Sequence, residues 1–164
     1  MDYSEIETFR KTENLLNYLN KELVDYSVKL SGKRLNSFDQ RYISSTIRTV
    51  SDLERIGDYA ENIVEYAEAL KEQNATFSED AVSEILKMEQ LILALYKETM
   101  QAYHKLDLKA LERANQIEEE IDDYTEQMER NHIDRLVKGA CTPSVGAEYL
   151  SLAQNSERIG DHLT

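Results

Sequence analysis

The chain has 164 residues, the length of one domain or of two small ones. Its formal net charge of -13 argues against binding the phosphates of nucleic acid and against docking a basic surface on anionic lipid. A single cysteine, Cys141, excludes an internal disulfide framework and fits a reducing, cytoplasmic setting.

Helix breakers are scarce, with one proline and five glycines, and this scarcity favours long helices. Apolar residues at helical spacing predict five helices, at residues 4–31, 37 to about 72, 78–105, 108–137 and 143–164. Local signals mark their ends. The predicted N-terminal signals are the capping box Ser37–Gln40, then Ser78, Asp107 and Thr142-Pro143, and the predicted C-terminal glycines are Gly32 and Gly139.

A five-residue pattern occurs twice, at Glu54-Arg55-Ile56-Gly57-Asp58 in the second helix and at Glu157-Arg158-Ile159-Gly160-Asp161 in the fifth. Such an identity in a short chain indicates two copies of one structural unit. Glycine inside a helix costs roughly 1 kcal/mol relative to alanine. Its repetition therefore predicts a point of close approach, by a neighbouring helix or by a bound group.

The repeated acids are predicted to lie on a packing face. Glu54 and Asp58 are one helical turn apart, and they continue a stripe formed by Ile43, Ile47 and Val50. Carboxylates on such a face are costly unless they are paired or bind a metal. The pattern therefore predicts either a metal site or a network of structural ion pairs.

The repeat also predicts the domain organisation. Helices one and two match helices four and five, and nothing in the chain matches helix three. We therefore expect an all-α protein of two three-helix bundle repeats, the first lacking one helix, at residues 1–74 and 75–164. The chain is expected to be a piece of something longer.

The motif Leu-Glu-Arg-Ile-Gly-Asp, followed by Ala60-Glu61-Asn62-Ile63, resembles that of the PhoU family. The form with Ile-Gly inside it is most similar to the PhoU-like cytoplasmic domain of bacterial sodium/phosphate cotransporters. The resemblance implies long antiparallel helices in two three-helix bundles. It also implies a non-enzymatic regulatory role in phosphate transport and homeostasis, on the cytoplasmic side of the membrane beside an attached transporter domain.

The resemblance further implies metal sites built from the motif acids, with iron or zinc the expected metals. Acids on the middle helix of each bundle would complete them. The implied ligands are Glu54, Asp58 and Glu13 in the first repeat, and Glu157, Asp161, Glu118, Glu119 and Asp122 in the second. In the first repeat Asn replaces one of these acids, which is expected to weaken that site. The oxygen-only ligand set also suits Mg²⁺, Mn²⁺ or Ca²⁺.

Two alternatives stay open. The motif acids can form structural ion pairs in a metal-free interaction module, and Arg55 and Arg158 can either join those pairs or hold phosphate.

Glu129 and His132 have the Glu-x-x-His spacing of ferritin-like bundles, but a second such motif is missing, so His132 is expected on a polar face. The sequence has no serine or cysteine nucleophile in a recognisable context and no phosphate-binding loop, so the protein is not expected to be an enzyme. A homodimer would cover apolar surface that an incomplete bundle leaves exposed.

Overall fold

The computed structural model describes residues 5–164, and these residues form five long helices with no strand among them. The bounds are α1 Ile6–Ser31, α2 Ser37–Glu72, α3 Glu79–Lys105, α4 Leu108–Val137 and α5 Pro143–Leu163. The predicted all-α fold is therefore confirmed, and each predicted helix is present within about two residues of its expected ends. The predicted start at residue 4 lies outside the described residues.

Most helix ends follow the predicted signals. The side chains of Ser78, Asp107 and Thr142 each accept hydrogen bonds from backbone N–H groups of the helix that follows, and Gly139 has the left-handed φ of 67°. One predicted cap is wrong: Asn36, not Ser37, caps α2 by accepting from the N–H groups of Phe38 and Asp39. Gly32 ends α1 as predicted, but its φ of -75° is not the left-handed conformation expected of a C-terminal glycine.

The chain divides into two compact units, one ending at Glu61 and the other comprising Asn62–Thr164. This division lies inside α2, which runs without a break across it. The repeat boundary between residues 74 and 75 concerns internal similarity of the sequence and stays a prediction.

The second unit has a continuous apolar core between α3, α4 and α5. Its fully buried side chains come from all three helices, and each stabilises the fold by about 1.5–3 kcal/mol relative to its exposed state. They include Met88, Leu95, Ile121, Met128 and Tyr149. This core holds α4 and α5 side by side, and the repeated acids of the second unit lie along these two helices.

In the first unit, α1 approaches α2 where Leu16 lies beside Gly57. Gly57 marks the close contact, because a methyl group added there would lie 2.8 Å from the Cδ2 atom of Leu16. The predicted close approach by a neighbouring helix is therefore present at this glycine. Several large apolar side chains of α1 remain exposed, namely Leu15, Tyr18, Leu19, Leu23 and Tyr26.

Within residues 5–164, none of the helices combines the length and the apolar character that crossing a bilayer requires.

Candidate metal centre

Three carboxylates of the second unit come together where α4 and α5 pack. Glu118 and Asp122 are one turn apart on α4, and Asp161 approaches them from α5; one oxygen from each lies within 4.8 Å of the others. Packing sets this geometry, since Gly160, beside Asp161 on α5, lies against Ile121 of α4, and a Cβ atom at that glycine would make an ordinary contact with Ile121 at 3.5 Å. In the described part of the chain, this is the one group of three potential ligands so close together.

The electrostatics of the cluster oppose three simultaneous negative charges. Partial burial raises the pKa of Glu118, and the charges of Asp122 and Asp161 raise it further. Burial likewise raises the pKa of Asp122, with Asp161 as the next cause. Like charges held together favour protonation or a bound cation. The cluster can therefore take up either protons or a metal ion.

Glu157 extends the cluster along α5. Its pKa is raised by burial first and then by Asp161, Asp122 and Glu118, while Arg158 lowers it. The Nε atom of Arg158 lies 3.6 Å from Glu157, and its Nη1 atom lies 3.7 Å from Asp161. Because the Arg158 side chain is 57% exposed, such contacts contribute only about 0–1 kcal/mol.

Glu119 is exposed and does not belong to the group of three. Its charge still contributes to the raised pKa values of Glu118 and Asp122. Its position is consistent with helical geometry, because Glu118 and Glu119 are neighbours in sequence and point in different directions.

The predicted acids of the first unit are arranged differently. Glu13 is buried, with 6% of its surface exposed, and it accepts a hydrogen bond from the side chain of Asn17. Burial raises its pKa, followed by the charges of Glu61, Asp58 and Glu54. The acids are thus near enough to interact, but they do not form a group of three close oxygens among the described residues.

Arg55 lies exposed on α2. The structure gives it no ion pair with another described residue, so the ion-pair interpretation of the two motif arginines finds support at Arg158 alone.

One polar contact of the motif was missed by sequence reasoning. The side chain of Asn62, four residues beyond Asp58, donates to Asn155 at 2.9 Å. Asn155 in turn donates to the Tyr66 hydroxyl at 3.1 Å and to the Ser151 carbonyl at 2.7 Å. Both asparagines lie in the regions of the repeated motif. This shared location is the sequence feature that could have indicated a contact between them.

A buried polar network on the same unit was also missed. Glu84 of α3 pairs with Arg135 at 2.8 Å and accepts hydrogen bonds from Asn131 and from the hydroxyl of Tyr149. His132 lies beside it, buried and stacked on Tyr149, so its expected place on a polar face is wrong. Because a side chain at Gly146 would collide with the His132 ring, that glycine makes room for the histidine.

Comparison with known proteins identifies the family. The PhoU domain matches residues 1–67 and residues 85–164, which together make up most of the chain. The chain belongs to the PhoU family.

Similar proteins include members of that family from several bacteria. The chain is 25% identical over 153 residues to phosphate-specific transport system accessory protein PhoU homolog 1 of Thermotoga maritima, covering 93% of this chain and 65% of that protein. It is 24% identical to the PhoU homolog of Clostridium acetobutylicum, covering 99% of this chain and 74% of that one. It is also 26% identical to an uncharacterized protein of Deinococcus radiodurans, covering 94% of this chain and 56% of the relative.

The chain thus spans only part of the length of these relatives. The comparison with solved structures gave no match.

Proposed function

We propose that this PhoU-family chain is a non-enzymatic regulatory domain of phosphate transport that binds a metal ion through Glu118, Asp122 and Asp161. The observation that carries the proposal is the convergence of three carboxylates from two helices within 4.8 Å. A structural ion-pair network would place cationic side chains in contact with these acids. Arg158, the nearby arginine on α5, is more than half exposed and contacts only two acids of its own helix.

The donor set favours a hard cation. Glu118, Asp122 and Asp161 offer carboxylate oxygens, and Glu157 is the nearest further acid that electrostatics couples to them. Mg²⁺, Mn²⁺, Ca²⁺ and ferric iron prefer such oxygen ligands, whereas zinc more often selects histidine and cysteine. Of the metals that the family resemblance implied, iron therefore fits this cluster better than zinc.

The first unit is proposed as a weaker second site. Glu13, Glu54 and Asp58 interact electrostatically, and Asn17 stands where the second unit has Asp122. An amide supplies a neutral oxygen in place of a charged one, which lowers the attraction for a cation.

The proposed regulation couples metal occupancy to helix packing. A cation between Glu118 and Asp122 on α4 and Asp161 on α5 would add a direct link between those helices. An attached or associated phosphate transporter, on the cytoplasmic side of the membrane, would sense the altered packing. The relatives named as accessory proteins of phosphate-specific transport support this role. Attachment to a sodium/phosphate cotransporter and formation of a homodimer are parts of the same proposal.

The deciding experiment measures metal content and affinity in parallel for the parent and Asp122→Asn/Asp161→Asn. The protein is stripped with chelator and titrated with Mn²⁺, Mg²⁺, ferric iron and Zn²⁺ by calorimetry or equilibrium dialysis. We expect at least one hard cation to bind the parent, and the double variant to lose at least about tenfold in affinity. A matched control, Glu119→Gln/Asp123→Asn, removes two exposed acids from α4 and should retain most of the binding.

The rival function is a metal-free interaction module in which the acids form structural ion pairs. The contacts of Arg158 with Glu157 and Asp161 are the observation that favours it. The two functions differ in the apo protein. Neutralising Asp122 and Asp161 should raise apo stability if repulsion dominates, and should lower it if ion pairs dominate. A destabilised double variant, together with a parent that binds no cation, would establish the rival.

A further inference from the structure

A polar groove lies on the N-terminal half of α2, before the motif acids Glu54 and Asp58 in the chain. It has a volume of about 510 Å³ and is lined by Ser37, Gln40, Arg41, Ser44, Ser45, Arg48 and Thr49. The lining consists of two guanidinium groups, four hydroxyls and one amide. None of these residues carries a carboxylate, although the protein has a net charge of -13.

The spacing of the lining residues places their side chains on one face of α2. Steps of three and four residues return to the same side of a helix. The acid nearest in sequence, Asp39, is two residues from Arg41, and at 100° per residue it falls on the opposite side. Asp52, one turn beyond Arg48, stands at the end of the groove and is not among the lining residues.

The two arginines are available to a ligand. Both are exposed, and neither forms a hydrogen bond or an ion pair with another residue in the described range 5–164. They are two helical turns apart, about 10.5 Å along the axis, with Ser44 and Ser45 between them. Arginine side chains are long enough to fold towards these hydroxyls from both ends of the groove.

This donor set matches a tetrahedral oxyanion. A guanidinium offers several N–H donors in a rigid fork that suits phosphate oxygens, and each hydroxyl offers one more donor. Charge-assisted hydrogen bonds of this kind are the strong ones in proteins. Because the net charge of -13 repels anions at long range, binding has to come from these local donors.

We propose that the groove between Arg41 and Arg48 binds a phosphoryl group, with the hydroxyls of Ser44 and Ser45 as further donors. The phosphoryl group is either free orthophosphate or the headgroup of an anionic phospholipid. This site is separate from the carboxylate cluster and does not depend on a bound metal. It gives the chain a direct contact with phosphate chemistry that the acids cannot provide.

The test is a titration of the chelator-treated protein with orthophosphate, followed by calorimetry or by NMR of the arginine side chains at constant ionic strength. The variant is Arg41→Gln/Arg48→Gln. The matched control is Lys21→Gln/Lys29→Gln, which removes the same charge from exposed positions of α1. We expect the arginine variant to lose at least about tenfold in affinity and the lysine control to stay near the parent. Circular dichroism checks that all three proteins remain helical.

A second arm separates the two sources of the phosphoryl group. The same proteins are sedimented with vesicles of phosphatidylcholine alone and with vesicles that also contain phosphatidic acid. Binding of orthophosphate identifies the free ion, whereas arginine-dependent binding to phosphatidic acid alone identifies a headgroup. Failure of both ligands to bind, or equal binding by the arginine variant, would overturn the proposal.

The metal proposal and this one can fail independently. Asp122→Asn/Asp161→Asn should keep the phosphate affinity of the parent in chelator. If that variant loses phosphate binding while Arg41→Gln/Arg48→Gln keeps it, phosphate binds at the cluster and the groove proposal is wrong.

Discussion

The two units hold their motif acids in different ways. In the unit that ends at Glu61, the buried carboxylate of Glu13 accepts a hydrogen bond from Asn17. In the unit from Asn62 onwards, Glu118 has a second acid, Asp122, one turn away and Asp161 facing it. The same motif, on α2 in one unit and on α5 in the other, therefore lies in two different electrostatic environments. On the facing helix, the position one turn after the first acid is an amide, Asn17, in one unit and a carboxylate, Asp122, in the other.

The largest expected effect comes from making the first unit resemble the second. Asn17→Asp should raise the pKa of Glu13 further and create a stronger cation site, because it replaces a hydrogen-bond donor with a charge. We expect metal stoichiometry to rise by about one per chain, measured by elemental analysis after dialysis against the preferred cation. The isosteric control Asn14→Asp, an exposed position of α1, should leave stoichiometry unchanged. An unchanged stoichiometry in Asn17→Asp would show that more than one residue separates the two units.

The next effect is a dependence of apo stability on pH. Glu118, Asp122, Glu157 and Glu13 all have raised pKa values, so the folded state holds more protons than the unfolded state above their ordinary values of 3.8 for Asp and 4.5 for Glu. Stability must then fall as pH rises from those values through the raised pKa values.

Thermal unfolding in chelator across this range should show a lower Tm towards neutral pH. Three acids of the second unit contribute to this slope and one of the first, so Glu118→Gln/Asp122→Asn should flatten it more than Glu13→Gln does. A bound cation should flatten it as well, since it replaces the protons. A Tm that rises with pH in the parent would contradict the raised pKa values.

The smallest effect concerns the motif glycines. A methyl group at Gly160 would meet Ile121 at 3.5 Å, an ordinary contact, whereas at Gly57 it would lie 2.8 Å from the end of the Leu16 side chain. Gly160→Ala should therefore stabilise the protein by up to about 1 kcal/mol through helix propensity.

In Gly57→Ala, moving Leu16 to a less favourable rotamer costs about 0.5–1.5 kcal/mol and offsets that gain. Denaturant unfolding of both variants measures the difference. Gly146→Ala serves as the disruptive reference, because its methyl group would collide with the buried ring of His132. If Gly57→Ala has a higher free energy of unfolding than Gly160→Ala, the contacts with Leu16 and Ile121 do not explain the difference between the two glycines.

Much of the fold could be predicted because its signals are local. Ser78, Asp107 and Thr142 each hydrogen-bond to the turn that follows them, so sequence alone located those helix starts. Asn36 and Ser37 are both good caps in adjacent positions, and sequence offers no way to choose between them. The acids Glu118, Asp122 and Asp161 were found through the repeat and the family resemblance.

Contacts between distant residues were harder to predict. Placing His132 inside the core required knowing that Gly146 of another helix leaves space for its ring. The pairing of Glu84 with Arg135 and Tyr149 joins three helices, and no spacing along one helix indicates it. Glu119 was grouped with the ligands although its neighbour Glu118 already occupied the facing direction.

The contacts of Arg158 have a consequence for sensitivity. If the cluster takes up a cation, that cation competes with a guanidinium that is covalently attached and therefore present at constant local concentration. Arg158 then sets a threshold, namely the free ion concentration at which half of the clusters are occupied. Below this concentration the arginine remains in contact with the acids of α5, and above it the ion replaces the arginine. Because an exposed pair contributes no more than about 1 kcal/mol, this threshold is shifted by at most about fivefold. Such a modest shift tunes the response to cation supply without preventing the cluster from filling.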